Sequence, residues 1–193
     1  MEKNEKIEKL KVLYQQSSKH SGYQIFSSVL SDVLETENLA GSNHRWEKER
    51  FEYISRHLDI ARKRVLDIGG NTGYFSFESI SAGATHVDYY EGNAAHAEFV
   101  EIASEICNIQ DKIDVHKAYY DFKDGLRQQW DIILLLNVLH HFGDDYGNQS
   151  VSLEIAKQEM IFQLNKIADR TNLCVFQMGF NWKGNISYPL FQN

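Results

Sequence analysis

Between Asp67 and Gly73 the chain reads D-I-G-G-N-T-G, one carboxylate and three glycines in seven positions, and Glu91 follows 24 positions after Asp67. Glycine tolerates positive φ and lets a ligand approach the backbone closely, and a helix starting after such a turn offers N–H groups with no partner inside the helix. The flanks fit that layout. Val65, Leu66 and Ile68 form a short apolar run, and Tyr74, Phe75 and Phe77 resume an apolar pattern, which predicts buried strand, tight turn and helix start. Glycines alone also suit an ordinary βα turn. Glu91 narrows the choice, because it ends a second predicted strand, His86 to Tyr90, where a carboxylate can accept hydrogen bonds from both ribose hydroxyls of an adenosine cofactor.

A second group of reactive side chains lies downstream. Asn137, His140 and His141 follow the continuous apolar run Ile132 to Leu136, and Asp144 and Asp145 come next. A histidine with an ordinary pKa of about 6.5 suits a general base at neutral pH. It equally suits packing or a backbone hydrogen bond. The two aspartates offer no distinctive metal-ligand spacing, and Cys107, Cys174 and the histidines show no zinc pattern, so no metal is assigned.

The elements that must position these residues alternate along the chain. Helices are predicted over 2–16, 25–35 and 45–58, with Ser42 or Asn43 as cap for the third. After the first strand come a helix over 73–82, the second strand, a helix over 94–107, a third strand from Ile113 to Ala118, and a fourth opened by Trp130. A long helix over 150–168 precedes a fifth strand, Leu173 to Met178. An apolar run such as Ile132 to Leu136 suits a parallel strand covered on both faces. The pattern predicts an α/β chain with a doubly wound, mostly parallel sheet. Residues 1–60 form a helical N-terminal segment and 61–193 the core, in one compact domain overall. In such sheets ligands bind beyond the carboxyl ends of the strands. That puts Asp67 to Gly73, Glu91, Asp121, Phe122, Asn137 and the segment after Met178 around one expected cleft.

With these motifs in hand, the sequence resembles the class I S-adenosylmethionine-dependent methyltransferases. The matching stretches are VLDIGGNTG at 65–73, YYEGN at 89–93, YYDF at 119–122 and WDIILLLNVLHHF at 130–142, in the family's order and spacing. One position departs: Asn71 stands where many members have glycine, with Gly70 one place earlier. The resemblance implies a Rossmann-like fold, S-adenosylmethionine as cofactor and S-adenosylhomocysteine as product. It implies that Asp67, Gly69, Gly70, Asn71 and Gly73 frame the amino-acid end of the cofactor and that Glu91, with Gly92, takes the ribose. Asp121 would accept from the adenine amino group, Phe122 would lie against the ring, and Asn137 would serve cofactor or acceptor. For a hydroxyl acceptor, His141 is the first candidate base and His140 the second. The N-terminal segment would fold over the cleft as a lid. SKHSGYQ at 18–24 is similar to a segment of bacterial methyltransferases acting in saccharide or capsule synthesis, which makes His20, Tyr23 and Gln24 candidate acceptor contacts. Asn181, Trp182 and Lys183 are further acceptor candidates, through a stacking face and a charge. The family sheet adds a helix and two strands after the fifth, and the chain is expected to lack them.

Composition excludes some partners. The net charge of −7 gives no basic footprint for nucleic acid, which disfavours a large RNA or DNA substrate. No apolar run approaches the roughly 20 residues needed to cross a bilayer, and the charged start MEKNEKIEKLK lacks the apolar core of a signal peptide, so no membrane partner and a cytoplasmic location are expected. The leading expectation is O-methylation of a small polar molecule such as a saccharide or capsule precursor, phosphorylated or phosphoramidate-type among them. The alternatives are a non-catalytic S-adenosylmethionine-binding module serving another enzyme, and a tRNA or protein methyltransferase. The chain has N-V-L-H after the fourth strand rather than an N-P-P-Y-like tetrad, which argues against methylation of base amino groups.

Overall fold

In β1 (Arg64–Ile68) every residue after Arg64 is buried, the mark of a strand covered on both faces. β2 (His86–Tyr90), β3 (Ile113–His116), β4 (Trp130–Leu136) and β5 (Thr171–Gln177) join it in a five-stranded parallel sheet of order β3-β2-β1-β4-β5. The computed structural model describes residues 2–16, 22, 24–36, 45–123 and 128–191. They fall into two compact units, the first ending at Tyr120 and the second starting at Asp121.

The first unit carries α1 (Lys3–Gln15), α2 (Ser28–Leu34), α3 (Glu47–His57), β1, α4 (Tyr74–Ser81), β2, α5 (Ala94–Ile106) and β3. α1 packs along α5, while α2 and α3 pack against α4. Leu10, Leu13 and Tyr14 supply the buried face of α1. Tyr14, Phe26 and Phe99 form an aromatic cluster with centroids 4.8–5.9 Å apart. Lys6 and Glu105 add an ion pair at 2.8 Å beside it. Ser27 caps α2 and Asn93 caps α5 through their side-chain oxygens, as short polar residues before an apolar helix should. The start of α3 differs from the expectation. Ser42 and Asn43 lie outside the described residues, and the cap is Trp46, held at φ 60° with no side-chain cap bond. Both oxygens of the buried Glu47 instead accept from Arg45 N, at 2.9 and 2.8 Å. Cys107 is half-buried, and burial pushes its thiol up to about 11, away from reactivity.

The second unit holds β4, a 3₁₀ turn over Leu139–His141, α6 (Leu153–Ala168), β5 and a short turn over Trp182–Gly184. Ile132 to Leu135 are buried, while β5 is mostly half-exposed. The strand order places β5 on the outside of the sheet. α6 buries Ala156, Met160, Gln163 and Ile167 and is capped by Ser152. The Trp182 indole N–H donates to the Phe142 carbonyl at 2.7 Å, tying the segment after β5 to the turn after β4. Among the described residues no helix is long and apolar enough to cross a membrane.

The aromatic cluster is the anchor of the N-terminal helices, and Phe26 is only 4% exposed. Phe26→Ala is expected to cost about 3 kcal/mol of unfolding free energy, in the range for an aromatic truncated in a core. Urea unfolding followed by circular dichroism measures it, and a loss below about 1 kcal/mol would show that the cluster does not anchor that segment.

Candidate functional site

The turn after β1 is stitched to the end of β2. The N–H groups of Gly69 and Gly70 both donate to the Tyr90 carbonyl, at 2.8 and 3.3 Å, and Gly73 N donates to Gly70 O at 2.9 Å. Gly69, Asn71 and Gly73 take positive φ, at 70°, 53° and 83°. Asn71 therefore adopts the left-handed conformation itself, which asparagine tolerates better than most residues. Three bonds hold it there. Its N–H donates to Glu91 Oε2 at 2.9 Å, its side-chain oxygen accepts from Thr72 N at 2.8 Å, and its carbonyl accepts from the Tyr89 hydroxyl. Gly70 serves a different need: a Cβ there would collide with the Tyr89 ring and sit 2.8 Å from Asp67 Oδ2.

Glu91 is the hub of this site. Its Oε2 holds the Asn71 amide and its Oε1 accepts from Asn93 N at 2.8 Å, so one half-buried carboxylate joins the turn after β1 to the cap of α5. Gly92 faces the Tyr119 ring so closely that a Cβ would collide with it.

Asp67 lies beneath the turn, 3% exposed. Burial pushes its carboxyl up to about 6, the Ser76 hydroxyl donating at 2.7 Å draws it back down, the Glu91 charge raises it, and the Arg50 guanidinium lowers it. Burial first, then the charges of Glu91 and Asp67, hold the Tyr89 phenol well above its ordinary range, so Tyr89 stays a donor. Gln24 reaches in from the N-terminal segment, its Oε1 accepting from Thr72 Oγ1 at 3.3 Å and from Tyr74 N at 3.2 Å. Gln24 thus supplies the acceptor that the first turn of α4 lacks, since Gly73 has no side chain to cap it. Arg50 and Ser76 are missing from the sequence reading, and Tyr89 enters it only as part of the YYEGN stretch. Ser76 stands just past the glycine motif, and nothing local ties Arg50 to Asp67.

In the second unit, Asn137 ends β4 at φ 63°, its N–H donating to Gln177 O at 2.8 Å and its amide to Gln177 Oε1 at 3.5 Å. The two histidines diverge. His140 is buried, its Nδ1 accepts from Gly179 N at 3.3 Å, and its ring fills the space a Gly179 Cβ would need. His141 instead brings Nδ1 to 3.0 Å from Asp145 Oδ2 and 3.8 Å from Asp144 Oδ2, in ion-pair reach though off the angle of a hydrogen bond. The loop that returns the aspartates turns on Gly143 and Gly147, at φ 84° and 77°, and closes with Gly143 N on Tyr146 O at 2.7 Å. Burial holds the Tyr146 phenol above its ordinary range, and it donates to Gln163 of α6 at 2.9 Å.

The remaining candidates are scattered. Asp121 is exposed and accepts from Lys123 N at 2.8 Å in a local turn, while Phe122 is buried. Asn181 precedes the turn over Trp182–Gly184, Trp182 is buried, and the Lys183 ammonium sits 4.2 Å from the Trp182 ring centre. His20 and Tyr23 lie outside the described residues.

No protein-family model matches the chain, and no curated protein does. Solved structures do. A structure of the bifunctional kinase-methyltransferase WbdD aligns with TM-score 0.63 and 19% identity over 94% of this chain and 38% of that chain. A second WbdD structure gives 0.60 and 18% over 87% and 36%. Over most of its length this chain shares the fold of part of WbdD. It spans well under half the length of the WbdD chains it matches. A putative RNA methyltransferase from Pyrococcus horikoshii aligns with TM-score 0.49 and 16% identity, over 88% of this chain and 74% of that chain.

The raised Asp67 carboxyl has a consequence for stability. The native state binds this proton more tightly than the unfolded chain, so the contribution is favourable below about pH 4 and is lost as pH rises toward about 6. Asp67→Asn is expected to remove that fall and to stabilise the protein at pH 7 by roughly 3 kcal/mol, at about 1.4 kcal/mol per pKa unit. Urea midpoints of both proteins at pH 4, 5, 6 and 7 measure it. A difference that does not change with pH would mean that Asp67 is ionised at its ordinary pKa.

Proposed function

We propose that the chain is a methyltransferase that uses S-adenosylmethionine and acts on oxygen of a small polar acceptor, with a saccharide or capsule precursor as the leading class. The observation that supports this most is the Glu91 carboxylate, anchored by two backbone amides at the end of β2, beside the glycine turn. The fit of the cofactor rests on residues of the first unit. Glu91 would take the ribose hydroxyls, the turn from Gly69 to Gly73 would present close-approach backbone, and Asp67 would hold the turn that meets the amino-acid end. When bound, the sulfonium supplies an electrophilic methyl group.

His141 is the candidate base, which would accept the proton of the acceptor hydroxyl. Asp145 Oδ2, 3.0 Å from Nδ1, would help to orient the imidazole. His140, engaged through Nδ1 with Gly179, is less suited to that task. The acidic net charge supports a small acceptor over nucleic acid.

Calorimetry with S-adenosylhomocysteine is expected to show saturable binding that Glu91→Ala weakens at least about tenfold, the loss of one charge-assisted hydrogen bond. No saturable binding, or binding unaffected by Glu91→Ala, would remove the cofactor assignment. Release of S-adenosylhomocysteine across a panel of free, phosphorylated and nucleotide-linked sugars then tests the acceptor. With the best of them His141→Ala is expected to lower turnover about 100-fold, within the span for a general base, and to leave cofactor affinity unchanged. Binding without turnover on any acceptor would favour the non-catalytic module instead.

A further inference from the structure

We propose that His86, Asp88, Asp114 and His116 form a binding site for a divalent transition-metal ion, on the face of β1–β3 that looks away from Asp67. The site lies wholly in the first unit and does not depend on methyl transfer. Side chains alternate between the faces of a strand. Asp67 and Tyr89, paired in register, belong to the face that meets Ser76 of α4. Arg64, His86, Asp88, Asp114 and His116 have the other parity. In register Asp88 stands opposite Asp114, and Tyr90 opposite His116.

That arrangement is costly without a cation. Two carboxylates directly opposite each other on neighbouring strands repel, and the Asp88 side chain is only 5% exposed. Arg64 neutralises one of the two charges, with Nη2 3.3 Å from Asp88 Oδ2. The imidazoles bracket what is left. His86 Nε2 lies 3.1 Å from Asp114 Oδ2, and His116 Nε2 lies 3.7 Å from Asp88 Oδ1. The His116 nitrogen is shut off from solvent and makes no hydrogen bond. Donor atoms of His86, Asp88 and Asp114 all lie within 4.8 Å of one another. Around a tetrahedral ion with bonds of about 2.0–2.1 Å, ligand atoms sit about 3.4 Å apart. The two measured separations straddle that value.

The surroundings match a ligand shell. The Tyr90 ring stacks on His116 at 4.1 Å and 11°, which fixes the imidazole plane, and Arg64 holds the outer oxygen of Asp88. Such supporting contacts orient metal ligands. Asp114 is 64% exposed and opens a path from solvent. Two imidazoles and two carboxylates suit Zn²⁺ or Co²⁺. His86, Asp88 and Asp114 supply the grouped donors and His116, 3.7 Å from Asp88 Oδ1, the candidate fourth, which would make the site structural, a clamp between β2 and the outer strand β3.

Titration of the purified full-length chain with Co²⁺, followed by visible absorption, and with Zn²⁺, followed by calorimetry, is the test. One ion per chain with the intense absorption of tetrahedral Co²⁺ is expected, together with a higher melting temperature. His86→Gln and Asp114→Asn, both on the solvent side of the cluster, are each expected to weaken binding at least about tenfold while circular dichroism stays native. His141→Ala, in the other cluster of one histidine and two aspartates, is expected to leave metal binding unchanged. No saturable binding of either ion, binding that survives the His86→Gln/Asp114→Asn double change, or binding lost with His141→Ala would each overturn the site.

Discussion

The first unit depends on what one carboxylate does with two amides. Glu91 accepts from Asn71 N and Asn93 N at once, so the turn after β1 and the cap of α5 share an anchor. Without it, Asn71 would keep two of its three bonds in a left-handed conformation that few residues adopt. Tyr89 and Asp67 would then lose the roof under which they pack. A carboxylate accepting two backbone N–H groups is itself held in place, and a ligand that meets it finds the acceptor already oriented. Such preorganisation lowers the ordering cost of binding.

How much of this could be read from residues alone depends on whether the cause is local. β1, β2 and β4 announce themselves by apolar runs, because burial on both faces leaves little room for polar residues. α5 and α6 are legible from a cap followed by an apolar face, Asn93 and Ser152 being the caps. β3 is shorter than its apolar run suggests, ending at His116. The start of α3 is not legible, since nothing in its residues announces a tryptophan at positive φ. The site divides the same way. Asp67, the glycines and Glu91 stand at spacings that mean something in a single βαβ unit. Arg50 and Ser76 reach Asp67 only because helices pack, and packing leaves no local trace. Asn71 is the informative case, a departure from the glycine pattern that the structure explains by giving asparagine the glycine's conformation and three partners.

Parity along the strands separates two kinds of charge in the first unit. On the α4 side, Asp67 is alone with a hydroxyl, a phenol and a more distant guanidinium, and burial raises its carboxyl. On the other side, Asp88 shares its face with Arg64, Asp114 and two imidazoles. A sheet face in a doubly wound fold is ordinarily apolar because helices cover it. Here Arg64, Asp88 and Asp114 put charged side chains on that face beside the buried Leu66 and Ile68, and the balance of those charges is the property to explain.

The adjacent histidines show how a backbone turn can assign different tasks to the same residue type. In a 3₁₀ turn successive side chains leave the axis about 120° apart. His140 is carried inward, where only a glycine at 179 leaves room for its ring, and it becomes a wedge between the ends of β4 and β5. His141 is carried toward Asp144 and Asp145, and it reaches them only because Gly143 and Gly147 let the chain reverse. That reversal is pinned from outside. Trp182 holds the Phe142 carbonyl, and a Cβ at Gly147 would collide with the Phe142 ring. The buried indole thus acts on the loop and not as an open stacking face, and residues packed beneath the loop set where His141 stands.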